Sequence, residues 1–121
     1  MTIRVLVVDD TFTIRQTLGR MLAYDYDVDV ADSGEAALAT LDDQDHDVIV
    51  IDQVMPGLDG IATAREIRSR RPGQKIILYS AFLDGTVEED ALDAGVSCCV
   101  EKTEGLLGLD RDIRRLTGSL F

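Results

Sequence analysis

Polar side chains directly follow the apolar segments of this 121-residue chain. They are Asp9 and Asp10 after VLVV, Asp52 after VIVI, Ser80 after IILY, and Lys102 after VE. If the three carboxylates converge, they repel one another, because like charges a few ångströms apart disfavour shared ionisation. A hard divalent cation would relieve that repulsion, and Mg²⁺ fits best because no His or Cys joins the set to favour zinc. The residue types therefore predict a magnesium site that can also hold a phosphoryl oxygen.

Asp52 is the best candidate for a nucleophile. It ends the run VIVID, whose apolar, mostly β-branched residues are typical of a central strand buried on both faces. A carboxylate there can accept a phosphoryl group while Mg²⁺ and the Lys102 ammonium neutralise charge on the transferring group. Ser80 could donate a hydrogen bond to the same group. The pattern predicts phosphoryl transfer to Asp52.

Alternating strand and helix patterns would position these residues. Each apolar strand-like run is followed by apolar residues at helical spacing, and the runs are residues 3–8, the alternation around 28–30, 47–51, 75–81 and 96–100. Five strands alternating with five helices imply right-handed crossovers and an α/β fold, a parallel sheet covered on both faces. Because ligands in such sheets gather outside the carboxyl ends of the strands, we expect the polar residues to share one rim.

Cap residues mark the starts of three predicted helices. Asp32 or Ser33 can cap the second helix and Asp59 the third. Thr86 and Glu89 have the spacing of a capping box and predict the start of the fourth helix.

Composition narrows the setting of the chain. With 45% apolar and 29% charged residues, the sequence predicts one folded domain over residues 1–121. The net charge of -11 repels nucleic acid phosphates and anionic membrane surfaces, so we expect no direct binding to either. No apolar run reaches a signal-peptide core or a membrane span, and a cytoplasmic location is the simplest expectation. Cys98 and Cys99 are adjacent, so they should point to opposite sheet faces and pack rather than pair.

The segments VLVVDD, VIVIDQVMPGLDG, ILYSA and EK, in that order, resemble the receiver domain of two-component response regulators. The resemblance covers essentially the whole chain. It implies the flavodoxin-like, doubly wound sheet with strand order 2-1-3-4-5 and five helices. It also implies that a sensor histidine kinase or phosphotransfer protein is the phosphoryl donor, and that the domain catalyses only its own phosphorylation and dephosphorylation.

The resemblance assigns a role by position to the residues Asp9, Asp10, Asp52, Val54, Ser80 and Lys102. Asp52 resembles the phosphoacceptor, and the metal shell would comprise its carboxylate, the two acids of the first strand and the Val54 carbonyl. Ser80 resembles the hydroxyl that follows the phosphoryl group, and Lys102 the lysine of the rim. The family switch would remodel the face of helix four, strand five and helix five, through which a homodimer could also form.

Two positions depart from the family pattern. Cys99 stands three residues before the lysine, where the family has an aromatic, and is too small to report on space vacated beneath Ser80. Thr103 follows Lys102 where most receivers have proline, so we expect a trans peptide, since a non-proline cis bond costs ~2.5–4 kcal/mol.

Three further residues carry predictions. Val54 and Phe82, each two residues past a site residue, should flank the path of attacking water, and neither side chain can orient water by hydrogen bonding. Slow self-dephosphorylation is therefore predicted. His46 lies in the acidic segment DDQDHD and is interpreted as a solvated loop residue.

Two alternatives stay open. A small Mg²⁺-dependent phosphatase with an aspartyl-phosphate intermediate could use the same residues, but it would need an acid/base group where this chain has Val54. A receiver-like docking module that is never phosphorylated would keep the fold, and Cys99 and the missing proline are compatible with it. The residues do not decide whether an output domain follows in a longer parent protein.

Overall fold

The computed structural model describes residues 2–119 as alternating strands and helices. The strands are β1 Arg4–Val8, β2 Asp27–Ala31, β3 Val48–Asp52, β4 Lys75–Ser80 and β5 Cys98–Glu101. The helices are α1 Phe12–Leu22, α2 Gly34–Leu41, α3 Gly60–Arg70, α4 Gly85–Asp93 and α5 Gly105–Thr117, with a 3₁₀ turn at Lys102–Glu104. All neighbouring strands are parallel, in the order β2-β1-β3-β4-β5. The α/β, flavodoxin-like sheet order implied by the sequence is confirmed.

The middle strand, β3, is buried along its whole length because helices cover both faces of the sheet. Ile49 and Ile51 face a core shared with α2, α3 and α4, whereas Val48 and Val50 face a second core beneath α1 and α5. The run VIVID is therefore apolar throughout, since neither set of alternating side chains faces solvent. Asp52, at the end of β3, is the residue of this strand that reaches the rim of the sheet.

The two adjacent cysteines lie on opposite faces of β5, as their spacing predicts. Cys99 packs against the core on the α4 side and Cys98 against the core on the α5 side, and both thiols are free. Burial raises the pKa of each thiol to about 11. Both therefore stay protonated at neutral pH and pack as small apolar groups.

Helices α2 and α3 begin as the sequence predicts, and α4 does not. Ser33 Oγ accepts a hydrogen bond from the Ala36 amide, and Asp59 likewise caps α3. The capping box predicted at Thr86 and Glu89 is wrong, because α4 begins one residue after Asp84, whose carboxylate accepts from the Val87 amide at 2.9 Å. Asp84 has the extended backbone of an N-cap, and this places Thr86 inside the first turn.

His46 is buried, so its interpretation as a solvated loop residue is wrong. Its ring has no exposed area, and Nε2 lies 2.7 Å from Asp29 Oδ2 on the edge strand β2. The segment before β3 folds back over that edge, where Asp29 provides a polar partner for the imidazole. The neighbouring acids in the sequence are exposed. The acidic composition of the segment therefore predicts exposure correctly for the acids but not for His46.

Two local findings complete the fold. The structure contains no cis peptide within the described residues, so the bond between Lys102 and Thr103 is trans, as expected. In the same part of the chain, no helix combines the length and the apolar character required to cross a bilayer.

Candidate functional site

The carboxyl ends of β1 and β3 bring three carboxylates together. One oxygen each from Asp9, Asp10 and Asp52 lie within 4.8 Å of one another. The two strands are neighbours in the sheet, so the residues that follow their apolar runs meet at the same rim. Asp9 and Asp52 are almost fully buried and Asp10 is exposed. The convergence expected from the sequence is present in the structure.

Lys102 brings a positive charge to this acid cluster, which comprises Asp9, Asp10 and Asp52. It follows β5 directly, and its Nζ lies 3.2 Å from Asp52 Oδ1 and 3.7 Å from Asp9 Oδ2. A single ammonium thus bridges the two buried carboxylates. Three carboxylates against one ammonium still leave an excess of two negative charges.

The protonation equilibrium of Asp52 reflects this shortage of positive charge. Burial raises the pKa of the carboxyl, the hydrogen bond and charge of Lys102 lower it, and the charge of Asp9 raises it again. The net result is a pKa above the ordinary value for aspartate. Lys102 alone therefore does not compensate for burial, and a second cation near Asp52 would favour the ionised form.

Asp9 supplies the acid cluster with a buried oxygen that could bind a cation. Its Oδ1 accepts a hydrogen bond from the Thr11 amide at 2.8 Å, which fixes the orientation of the carboxylate. Its Oδ2 is buried and has no hydrogen-bond partner among the described residues. The Lys102 ammonium, 3.7 Å away, is too distant for a hydrogen bond, so this buried oxygen still lacks a close partner and a cation bound at ligand distance would stabilise it. The oxygen donors and the excess of negative charge fit Mg²⁺.

Ser80 reaches the same rim, but its hydroxyl bonds to its own loop. It is buried, and its Oγ donates to the Phe82 carbonyl at 3.1 Å and accepts weakly from the Phe82 amide at 3.4 Å. To donate to a group on Asp52, the hydroxyl must leave the Phe82 carbonyl. The state of Ser80 is therefore coupled to the segment between β4 and α4.

Exposed apolar side chains occur in the segments that follow β1, β3 and β4. Val54 and Phe82 are 76% and 69% exposed, and Phe12 at the start of α1 is 65% exposed. The nearby backbone amide of Val54 lowers the pKa of the Asp52 carboxyl. The side chains of Val54 and Phe82 are thus apolar and open to solvent.

Two residues that touch the site were missed from the sequence. Arg15 of α1 donates to the Asp9 carbonyl at 2.9 Å. The ring of Tyr79 lies 5.8 Å from Lys102 Nζ, and burial raises the pKa of its phenol. Tyr79 immediately precedes a candidate site residue at the end of a strand, and that position could have drawn attention to it.

The sheet order and the lysine-bridged acid cluster at its carboxyl rim together define a class, the receiver domains of two-component signalling. A family model of the response regulator receiver domain matches residues 5–113. The chain belongs to the response regulator receiver domain family.

Curated relatives extend beyond the part that this chain matches. Response regulator MprA of Mycolicibacterium vanbaalenii is 34% identical over 121 residues, covering 97% of this chain and 52% of that protein. A protein-glutamate methylesterase/protein-glutamine glutaminase of Nocardioides sp. is 36% identical over 124 residues, covering 98% of this chain and 34% of that protein. The chain thus spans about half of the first relative and a third of the second.

Solved structures agree with the fold. The response regulator TrrA of Thermotoga maritima, in complex with Mg(2+)-BeF, is 32% identical with a TM-score of 0.85, covering 94% of this chain and 98% of that one. A LuxR-family two-component response regulator from Aurantimonas sp. is 26% identical with a TM-score of 0.91, covering 98% of this chain and 88% of that one. These likenesses extend over nearly the whole chain.

Proposed function

We propose that this receiver domain accepts a phosphoryl group on Asp52 in a Mg²⁺-dependent reaction. The observation that carries the proposal is the lysine-bridged acid cluster, in which buried Asp52 lies 3.2 Å from the Lys102 ammonium and within ligand distance of two further carboxylates. Membership in the receiver family supports a sensor histidine kinase or a phosphotransfer protein as the donor. With a net charge of -11, nucleic acid is not among the proposed partners.

Asp52 would act as the nucleophile without losing a proton, because its ionised carboxylate attacks phosphorus directly. The new P–O bond forms as the P–N bond of the donor phosphohistidine breaks, and the imidazole nitrogen keeps the electron pair. Lys102 would neutralise charge on the transferring oxygens, and Ser80 would donate to one of them. Bound Mg²⁺ would supply further charge neutralisation; Asp9, Asp10, Asp52 and the Val54 carbonyl would hold it.

Ser80 also provides a switch in this proposal. Its hydroxyl would exchange the Phe82 carbonyl for a phosphoryl oxygen, and the segment leading to α4 would lose a hydrogen bond. Cys99 faces the core on the α4 side and would leave more room there than an aromatic side chain. The movement would therefore change the face formed by α4, β5 and α5 through the backbone after β4.

This face is the proposed site of partner binding or of a homodimer. Leu92 of α4, which is 55% exposed, is the apolar side chain that supports it. Sedimentation with and without Mg²⁺ and beryllium fluoride, a phosphoryl mimic, would measure the association. A Leu92→Asp variant should then stay monomeric in both conditions.

Intact mass after incubation with acetyl phosphate and Mg²⁺ tests the main proposal. We expect one phosphoryl adduct on the wild type, and none with Asp52→Asn or with EDTA. An adduct that survives the Asp52→Asn substitution would place the acceptor elsewhere. A folded wild type without any adduct would contradict the proposal and favour the phosphorylation-independent docking module.

A further inference from the structure

Gln53, the residue directly after the acceptor, links the end of β3 to the start of α3. Its side-chain Oε1 accepts from the Ile61 amide at 2.9 Å, and its Nε2 donates to Asp59 Oδ2 at 3.4 Å. Its backbone carbonyl accepts from the Gly60 amide at 3.0 Å. One residue thus makes three hydrogen bonds to the first turn of a helix. We call this set of bonds the Gln53 clamp.

Gly60 brings the helix close to the acceptor backbone. A Cβ at this position would lie 2.5 Å from the Asp52 carbonyl oxygen and 2.9 Å from Gln53 Cα. Backbone atoms cannot yield as the end of a flexible side chain can, so α3 and the acceptor strand contact each other directly here. A displacement of the helix start would therefore move the peptide that carries Asp52.

The loop between Gln53 and α3 is held from a second side by α2. Glu35 accepts a hydrogen bond from the Leu58 amide at 2.9 Å, and this bond lowers the pKa of the Glu35 carboxyl. Met55 in the same loop is buried in the core. With Glu35 at its far end and the Gln53 clamp at its near end, the loop that includes Val54 is constrained along its length.

A glutamine suits the clamp for a chemical reason. Its amide carries an acceptor and a donor on one planar group, so it can bind the Ile61 amide and the Asp59 carboxylate together. It is also neutral and adds no charge beside the acid cluster. A glutamate at this position would accept from the amide but would repel Asp59.

We infer that Gln53 is a positioning residue, which orients the Asp52 carboxylate and the Val54 carbonyl toward the proposed Mg²⁺ site through its bonds to α3. The inference concerns the metal site of the proposed function, and its effect on phosphoryl transfer rests on that function. Groups that hold ligands in place typically change metal affinity or activity about 10–100-fold when they are lost. The clamp therefore predicts an effect on Mg²⁺ affinity.

The test compares Gln53→Met with Gln74→Met in the full chain. Methionine is similar in length and makes neither amide hydrogen bond. Gln74 is the matched control, because it is equally half-buried and its Nε2 donates to the His46 carbonyl at 3.0 Å, at the opposite end of the sheet. Gln53→Met loses bonds to the Ile61 amide and to the N-cap Asp59, and Gln74→Met loses its bond to the His46 carbonyl. Only Gln53 is adjacent to the acceptor, Asp52.

Mg²⁺ titration by calorimetry and hydrogen exchange of the Ile61 amide are the two readouts. We expect Gln53→Met to raise the Mg²⁺ dissociation constant about tenfold and to speed hydrogen exchange of the Ile61 amide. In Gln74→Met, the dissociation constant and the exchange rate should each stay within about twofold of the wild-type value. Phosphorylation by acetyl phosphate should be slowed at low Mg²⁺ and recover largely at saturating Mg²⁺. If Gln53→Met does not fold, Gln53→Asn, which shortens the reach to Ile61, takes its place.

Each outcome distinguishes the clamp from the proposed function. A folded Gln53 variant that binds Mg²⁺ within twofold of wild type would overturn the inference, as would an equal loss of affinity in Gln74→Met. A wild type that binds no Mg²⁺ would overturn both. The expected loss of Mg²⁺ affinity in a protein that takes no phosphoryl group would support the clamp while contradicting the proposed function.

Discussion

Val54 and Phe82 are the side chains whose chemistry bears most directly on the lifetime of a phosphoryl group at Asp52. Val54 lies two residues past Asp52 and Phe82 two residues past Ser80, both are largely exposed, and neither side chain can accept or donate a hydrogen bond. General-base assistance requires a side chain that can orient the attacking water. The proposed phosphoprotein should therefore hydrolyse slowly.

Replacing Val54 with asparagine should accelerate that hydrolysis by about tenfold, which is less than the roughly 100- to 10,000-fold of a positioned proton-transfer group, because an amide can orient water but cannot take its proton. The measurement is the decay of the phosphoryl mass adduct in Mg²⁺ after the phosphodonor is removed. Leu107→Asn is the control, since Leu107 of α5 is 83% exposed and should leave the decay rate unchanged. Unchanged decay in Val54→Asn, or loss of the wild-type adduct within seconds, would contradict this account.

A polar network connects α5 to the turn between α1 and β2. The Tyr26 hydroxyl donates to Asp110, and Arg114 Nε donates to the same carboxylate at 3.0 Å. Arg114 also lies 3.6 Å from Asp25. Burial raises the pKa of Asp110, but the hydrogen bonds from Tyr26 and Arg114 outweigh it, so the pKa lies below the ordinary value.

Asp110→Asn should lower the free energy of unfolding at pH 7 by about 1.5–2 kcal/mol, the lower part of the range for hydrogen bonds to a charged group, because this carboxylate is partly exposed. A depressed folded-state pKa stabilises the fold above the unfolded pKa of about 3.9, and this contribution disappears as the pH falls through the folded value. The difference between variant and wild type in urea titrations should therefore shrink below about pH 4.

Asp43→Asn, at an exposed acid after α2, serves as the control and should change the free energy of unfolding little at any pH. If the free energy of unfolding of Asp110→Asn differs from that of the wild type by the same amount down to about pH 2, the carboxylate does not stabilise the fold through its charge.

The acid cluster lies in a chain whose net charge is -11. A cation that binds only the folded state stabilises it by mass action, by about 1.4 kcal/mol at ten times its dissociation constant. Mg²⁺ should therefore raise the thermal midpoint of the wild type beyond the effect of NaCl at equal ionic strength. Scanning calorimetry measures the change in thermal midpoint with each salt.

The double variant Asp9→Asn, Asp10→Asn should lose this specific increment and keep the general salt effect, because screening of the net charge does not require a ligand set. Equal shifts with Mg²⁺ and NaCl in the wild type would mean that the acids act only as surface charge.

Local patterns were sufficient for the alternation of strands and helices and for most of the acid cluster. Apolar runs of strand length and helical spacing depend only on near neighbours in the chain, so they can be recognised in the sequence. The shared rim followed from the parallel sheet that these runs predict. The strand order came from the family resemblance. Asp9, Asp10, Asp52 and Lys102 meet because each ends a parallel strand or follows one directly. A residue's place at the end of its strand was enough to predict their convergence.

Tertiary structure decided what depends on partners distant in sequence or on competition between nearby groups. His46 is buried because Asp29, 17 residues away, lies beside its ring. Asp84 rather than Thr86 caps α4 because its backbone is extended there. Gln53 faces the amide of Ile61 only once α3 has packed against β3. Sequence periodicity indicates on which face of a helix or strand a side chain lies. A hydrogen bond depends on which donor and acceptor groups the tertiary structure brings within bonding distance.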